Sequence, residues 1–474
     1  MTVPTTALSA LKNIVGDKGF IDDAKDMVPH TDDWRGRKSG KSPLILFPTT
    51  VQQVSDIVKI SYENDIKLVP QGGNTGLVLG GIPSDDGDEV VVNLARMNKI
   101  INVDAESYTL TCEAGVILQS AQKAALENNR LFPLNIAAEG SCHIGGNIAT
   151  NAGGIHVLRY GNMREQVLGL EVVLPNGEIW NGLKALRKDN AGYDLKQMFI
   201  GAEGTLGIIT KATLKLVPKP SNIETAMIGI NSPEDTISLL AHLRSTLGDG
   251  LVAFEIFPHN GLEIVLKNMP NLRNPMQKSA NWYAICELWG FEDSEQLNNR
   301  FTKALMKSCD DGLARDVILA SSEAQRKDFW NIRELFAPAL KIEGAGIAFD
   351  ISIPLSQISC FLKRADKAVK AHIKGIKTIP FGHAGDGNLH YNIAPPDGMS
   401  TDELLIRREE IVRIVHDIAN DLDGSIAAEH GVGTQKTGEI LRYKSASEIA
   451  MFKALKNALD PKGLMNAGRI ISKS

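Results

Sequence analysis

Two short stretches carry residue types that do chemistry: HAGDGNLHYN, residues 383–392, and AEHG, residues 428–431. His383 and His390 bracket a tight Gly-Asp-Gly turn, and the strand-like LHYNI follows. Side chains alternate along a strand, so His390 and Asn392 point to one face, and the turn can fold His383 back toward them. Two imidazoles and one carboxylate form a recurrent ligand set for Zn, Mn or Fe that leaves positions open for substrate. Glu429 is the best remaining carboxylate. Its neighbour His430 points the other way in an extended chain, which suits a second role. Asp386 is an alternative ligand, although its place inside the turn suits capping of backbone N–H groups. On spacing alone, an ordinary polar surface loop remains the competing account.

Three Gly-rich segments lie upstream: QGGNTGLVLGG (71–81), EGSCHIGGNIATNAGG (139–154) and GAEGTLGII (201–209). Each mixes Gly with Asn, Ser or Thr beside an apolar run, which brings backbone N–H groups close to an anion such as a diphosphate. The nicotinamide-type G-x-G-x-x-G fingerprint does not occur, which weakens an ordinary dinucleotide fold. In RGRKSGKSP the glycines Gly36 and Gly40 are one residue too close for a phosphate loop, so a solvated loop is expected.

These residues need a scaffold, and the pattern from Pro43 onward is α/β. LILFP reads as a strand, and Val51, Val54, Ile57 and Val58 mark one face of a helix. Strands follow at IKLVP, VVVNLARM and YTLTCEAGV, and residues 167–180 form a hairpin around Pro175-Asn176-Gly177. IITKATLKLVPKP closes a first domain near residue 219. The second domain, to about residue 422, alternates helices with strands such as WYAICELWG and IAFDISIP. Residues 423–474 are expected to pack back near the first domain.

At 474 residues with ordinary apolar and charged fractions, the chain should fold as more than one subdomain. A net charge of -5 argues against a nucleic-acid partner. The five cysteines, with no C-x-x-C pair, fit a reducing compartment. The N-terminus shows no secretory pattern and no apolar run is long enough for a membrane helix, so a cytoplasmic enzyme is expected. Self-association into a homodimer is left open.

The Gly-rich segments together with LGLEVVLPNGE and IGAEGTLGIITKATLKL resemble the FAD-binding domain of the vanillyl-alcohol oxidase family. The likeness is strongest to its D-2-hydroxy-acid dehydrogenase branch. It implies an α+β flavoprotein with an FAD-binding domain over 1–219 and a mixed α/β substrate-capping domain over 220–422. The diphosphate would lie along Gly72, Gly73, Asn74, Thr75 and Gly76, with Gly80 nearby, and Pro70 and Gln71 belong to the same cofactor set. The flavin would be lined by Glu139, Gly140, Ser141, Gly145, Gly146, Asn147, Thr150, Asn151, Gly153 and Gly154, with Tyr160 and Gly161 following. Glu203, Gly204, Gly207 and Ile208 would sit near the adenosine or ribityl portion, and Asn466 joins the cofactor set. Asn74 stands where some members bond FAD to a His, so non-covalent FAD is implied. His143 and His156 could each touch the flavin.

The resemblance also assigns His383, His390 and Glu429 to a divalent metal, Zn or Mn, His430 to the role of base, and Asn392 to a substrate contact. Arg333 in FWNIRELF becomes the ligand of the substrate carboxylate, for which a planar cation is suited. The implied reaction oxidises a D-2-hydroxy acid of the 2-hydroxyglutarate, lactate or malate type to the 2-oxo acid. Hydride would pass to flavin N5 and electrons to a separate acceptor, such as an electron-transfer flavoprotein or a quinone-linked protein. Two positions depart from the hydroxyglutarate pattern: Ala337 replaces a Thr and Ala348 a Lys, with Lys341 the remaining local cation. A metal-free alcohol or aldonolactone oxidase, or a non-catalytic FAD-binding subunit, are the competing functions.

Overall fold

The apolar runs of the first half pair into two main sheets. The computed structural model describes residues 3–471. It places β1 (Phe20–Ile21), β2 (Ile45–Leu46), β3 (Lys67–Gln71) and β4 (Glu89–Asn93) in one sheet of order β1-β2-β4-β3. β4 runs parallel to both β2 and β3, and all five of its residues are buried, as expected of a strand covered on both faces. The antiparallel second sheet, β5-β6-β10-β8-β9, takes β5 (Ile100–Asp104), β6 (Thr109–Glu113), β8 (Val167–Val173), β9 (Ile179–Gly182) and β10 (Ile208–Lys215). A short pair joins β7 (Arg130–Leu131) to β11 (Val217–Pro218). The amphipathic helix Val51–Glu63 is capped by Thr50, whose side chain accepts from the Gln53 N–H. It buries Val54, Ile57 and Val58, and the Ser55 hydroxyl donates to the Gly177 carbonyl in the β8–β9 turn.

Contacts divide the chain into two units. The first takes residues up to 153, 162–219 and from 430 on; the second takes 154–161 and 220–429. The chain end completes the first unit. Leu68 of β3 donates to the Leu464 carbonyl and accepts from the Asn466 N–H.

The second unit is built on one sheet of order β15-β12-β14-β13-β17-β18-β16. Its strands are β12 (Asn222–Ile230), β13 (Leu251–Pro258), β14 (Trp282–Gly290), β15 (Asp316–Leu319), β16 (Ile347–Ser352), β17 (Lys377–His383) and β18 (Asn388–Ala394). Alternation splits the core. Ala226, Phe254, Cys286 and Leu288 belong to one cluster, while Met227, Phe257, Ile285 and Phe381 belong to another with the helices Glu323–Glu334 and Phe336–Ile342. β13 is buried at every residue, and so is β14 except at Trp282. Glu255 and Glu287 are therefore carboxylates in the middle of an apolar sheet.

Candidate active site

In the first unit the Gly-rich segments converge on one cleft. Residues 70–76, 78–82, 145–147, 203–204 and 207–209 line it, together with Cys142, His143, Ala149, Thr150, His430 and Asn466. Gly73 is required by close approach, because a Cβ there would fall 2.0 Å from the Ser141 carbonyl oxygen. Gly76 and Gly146 have nothing within 4 Å of where a Cβ would be. Their backbones thus border open space, as a cradle for a large anionic cofactor needs. Asn74 adopts φ 52° and donates its amide to the carbonyls of Pro29 and Asp32. Burial pushes the His143 pKa down, so its imidazole is neutral near pH 7, and its buried Nδ1 has no hydrogen-bond partner. A cofactor polar atom is the natural occupant for such a position.

Some expected cofactor residues lie elsewhere. Glu139, Gly140, Ser141, Asn151 and Gly153 stay in the first unit but outside the cleft lining. Gly154, His156, Tyr160 and Gly161 belong to the second unit, where His156 packs edge-on to Trp289 at 4.6 Å and Tyr160 tilts against it at 6.0 Å. Glu203 lines the cleft and also braces it, accepting from the N–H groups of Val432 and Gly433 at 2.7 and 2.8 Å. Burial raises its pKa despite those two bonds.

In the second unit, strand register collects the chemistry on one sheet face. Glu255 of β13 stands opposite His383 of β17, Phe381 opposite His390 of β18, and His390 opposite Asp350 of β16. Asn392 is two residues on from His390 and pairs with Ala348. The His383 ring donates through Nδ1 to Glu255 Oε1 at 2.6 Å, leaving its Nε2 3.4 Å from Glu429 Oε1. Donor atoms of His383, His390 and Glu429 all lie within 4.8 Å of one another. With metal–ligand bonds of about 2.0–2.1 Å, a tetrahedral zinc site separates its ligand atoms by about 3.4 Å, so the observed spacing suits such an ion. Glu429 is steadied by its own N–H, which donates to Asp350. Asp386 caps the turn, accepting from the Asn388 N–H at 3.0 Å.

Glu255 joins the candidate site without being singled out by the sequence. It is fully buried and its other oxygen accepts from Arg333 Nε at 2.7 Å. The Arg333 guanidinium lies over the Phe381 ring at 4.6 Å, and its two terminal nitrogens have no hydrogen-bond partner among the described residues. Burial alone would raise Glu255, but the charges of His383 and Arg333 outweigh it and bring it down to about 2. Burial alone would lower His383, and the carboxylates of Glu255 and Glu429 instead hold it up at about 9. Glu429 is pushed up to about 7 by burial and by Asp350, Asp386 and Glu255. Asp386 is raised to about 6, chiefly by burial. Four carboxylates thus crowd one guanidinium and two imidazoles, an excess of negative charge that a divalent cation relieves. The only sequence signal for Glu255 was an acidic residue inside the apolar run LVAFEIFP.

A Gly-lined anion cradle in an α+β unit, followed by a second unit carrying an Arg and a metal-competent His, His, Glu set, defines a flavin-dependent oxidoreductase. Residues 42–182 match the FAD binding domain family, and residues 219–470 match the C-terminal domain of FAD linked oxidases. The D-2-hydroxyglutarate dehydrogenase of Arabidopsis thaliana is 38% identical over 98% of this chain and 82% of its own length. That of Bos taurus is 36% identical over 98% and 83%. The D-2-hydroxyglutarate–pyruvate transhydrogenase of Saccharomyces cerevisiae is 34% identical over 94% and 90%. Among solved structures, p-cresol methylhydroxylase superposes with a TM-score of 0.76 at 18% identity, over 98% of this chain and 96% of that one, a likeness of fold alone. The chain belongs to the FAD-linked oxidases and, within them, to the D-2-hydroxy-acid dehydrogenases. It is an FAD-dependent enzyme acting on CH–OH donors.

The expected cytoplasmic placement is corrected by these relatives, since the plant and bovine proteins are both named as mitochondrial. The physical reason is plain. Free cysteines fit any reducing compartment, and mitochondrial targeting is amphipathic and Arg-rich rather than apolar, so neither signal singles out the cytoplasm. No described helix is long and apolar enough to cross a membrane.

Proposed function

We propose that the protein oxidises a D-2-hydroxy acid with Arg333 as ligand of the substrate carboxylate, His383, His390 and Glu429 as ligands of a divalent metal, and His430 as base. The observation that carries this reading is the Arg333–Glu255–His383 chain, with spacings of 2.7 and 2.6 Å. One buried carboxylate fixes both a guanidinium with free donors and an imidazole whose remaining nitrogen turns toward the metal set. When bound, FAD supplies the hydride acceptor and a Zn or Mn ion a Lewis acid for the developing alkoxide.

The chain's own groups do the rest. Arg333 presents two terminal nitrogens, which suit a bidentate carboxylate. His430 takes the hydroxyl proton, and a neutral imidazole is suited to that near pH 7. In support, it lines the cleft formed by the Gly-rich segments. Asn392 shares the sheet face of His390 and is an auxiliary polar contact. The name of the yeast relative favours a 2-oxo acid among the acceptors to test, alongside an electron-transfer flavoprotein and a quinone-linked protein.

A further observation bears on the substrate tail. Ala348 is the register partner of Asn392 and brings no cation to that face. This favours a short or uncharged tail over the five-carbon diacid named in the relatives. The experiment is anaerobic bleaching of the flavin by D- and L-lactate, malate and 2-hydroxyglutarate, with and without chelator, on the parent protein and His430→Ala. Chelator-sensitive bleaching by D-acids, lost in His430→Ala while FAD stays bound, is expected. Preference for D-2-hydroxyglutarate would discard the tail argument. Bleaching by none of the acids in metal-replete protein would favour the non-catalytic or alcohol-oxidase alternatives.

A further inference from the structure

The helix Glu323–Glu334 that carries Arg333 is held by a second buried carboxylate outside the site just described. Glu287 lies on β14, beside β13. Glu255 is paired with Ile285, so Glu287, two residues further on, shares its sheet face as the diagonal neighbour. Glu287 is only 3% exposed. It accepts from Trp330 Nε1 at 2.8 Å, Trp289 Nε1 at 2.5 Å and the Thr225 hydroxyl at 3.0 Å, with Arg326 Nη1 at 3.8 Å. An ionised carboxylate only accepts, so it is matched by three such donors.

Arg326, Trp330 and Arg333 are four and three residues apart, one stripe of the helix. The first two meet Glu287 and the third meets Glu255. The same helix also buries Phe329 and Ile332. Apolar packing is non-directional and leaves rotation and sliding of the helix weakly fixed, whereas hydrogen bonds to two carboxylates on adjacent strands fix both. The second arm runs through Trp289, against which His156 and Tyr160 pack. Those residues belong to the segment 154–161, which joins the second unit while the chain on either side of it belongs to the first.

We propose that Glu287 is a positioning residue for hydroxy-acid oxidation. Through Trp330 it sets the Arg333 guanidinium, and through Trp289 it sets the segment 154–161. The inference rests on Arg333 as ligand of the substrate carboxylate.

The test compares Glu287→Gln, Trp330→Phe and Arg333→Lys in FAD- and metal-loaded protein. Gln keeps the shape but turns an NH₂ either toward Trp289 or toward Trp330 and Thr225, so at least one indole loses its acceptor. Glu287→Gln and Trp330→Phe should each raise KM for the D-2-hydroxy acid about tenfold with kcat changed less than about threefold, FAD content unchanged and tryptophan emission shifted. Glu287→Asp should recover part of the KM. A merely structural role would lower Tm and the fraction of active enzyme without moving KM. If Arg333→Lys raises KM but Glu287→Gln and Trp330→Phe leave it within about twofold, the positioning role is overturned alone. If Arg333→Lys leaves KM unchanged, the carboxylate assignment falls and this inference with it. Should Glu287→Gln fail to fold, Trp330→Phe decides the case by the same measure.

Discussion

At the scale of residues, Glu255 holds two candidate site residues at once, His383 at 2.6 Å and Arg333 at 2.7 Å. His383, His390 and Glu429 stand in motifs with unusual composition, whereas Glu255 is one acidic letter in an apolar strand 128 positions from its partner His383. Only strand register brings those two together, and register between distant strands leaves no local trace. Supports of this kind raise ligand basicity and fix the ring tautomer. Glu255→Gln should therefore weaken zinc retention about 10–100-fold, measured as metal per FAD after chelator challenge. KM should rise as well, because Arg333 loses its charged anchor. Retained metal with unchanged KM would remove Glu255 from both roles. A pH dependence follows from the same groups. In metal-free protein His383 is raised from 6.5 to about 9, so the stability it adds is complete below its unfolded pKa and lost as pH rises through about 9. Glu255 is lowered to about 2, so its contribution is complete above its unfolded value and lost as pH falls through about 2. A metal must displace the His383 proton below pH about 9 and the Glu429 proton below about 7. Log affinity for zinc should thus climb with a slope of about one per pH unit between these values and more steeply below the lower one. A slope near zero across pH 6–9 would contradict the assignment of His383 as a ligand.

At the scale of elements, periodicity found the strands and helices, because alternation and the 3.6-residue repeat are local properties. LILFP, IKLVP, the 167–180 hairpin and the helix from Val51 all lie where their patterns put them. The pairing order of the seven-stranded sheet had no such signal. Within it, the turn between β17 and β18 decides whether His383 can reach His390. Gly387 there has φ +89°, and a Cβ would meet the Ile353 carbonyl oxygen at 2.4 Å. Gly398 has the same φ with nothing within 4 Å. Gly398→Ala should cost only the backbone strain, about 1–2 kcal/mol. Gly387→Ala must add displacement of β16 or of the turn, so a loss of about 3 kcal/mol or more is expected, with metal content falling in parallel. Urea midpoints and metal analysis of the two variants give the comparison. Equal stability would mean that the turn has slack and does not set the ligand geometry.

At the scale of the whole molecule, neither unit is one continuous stretch of chain. Segment 154–161 interrupts the first unit, and residues from 430 on return to it. Nothing local marks the crossing at 154–161, since the deciding contacts are long-range. The returning end is held by Arg469, whose Nη1 and Nη2 reach Glu89 Oε1 and Oε2 at 2.7 and 3.1 Å, with side-chain exposures of 2% and 3%. Arg469 also donates to the Ile82 carbonyl, and Asn466 donates to the carbonyls of Gly80 and Glu203. Ile82, Gly80 and Glu203 all line the cleft of the first unit, so the chain end and the cleft wall are one structure. Removing one partner of a buried pair leaves the other charge uncompensated, which costs about 3–5 kcal/mol, whereas replacing both can be nearly neutral. Arg469→Met should therefore destabilise the first unit by about that amount and release FAD at lower urea, followed by flavin fluorescence. Adding Glu89→Gln in the same chain should recover much of the loss, because the buried charge itself is then gone. If the double variant is no more stable than Arg469→Met, the bonds to the cleft carbonyls rather than the ion pair hold the chain end in place. FAD retention would then track Asn466→Ala more closely than any change at Glu89.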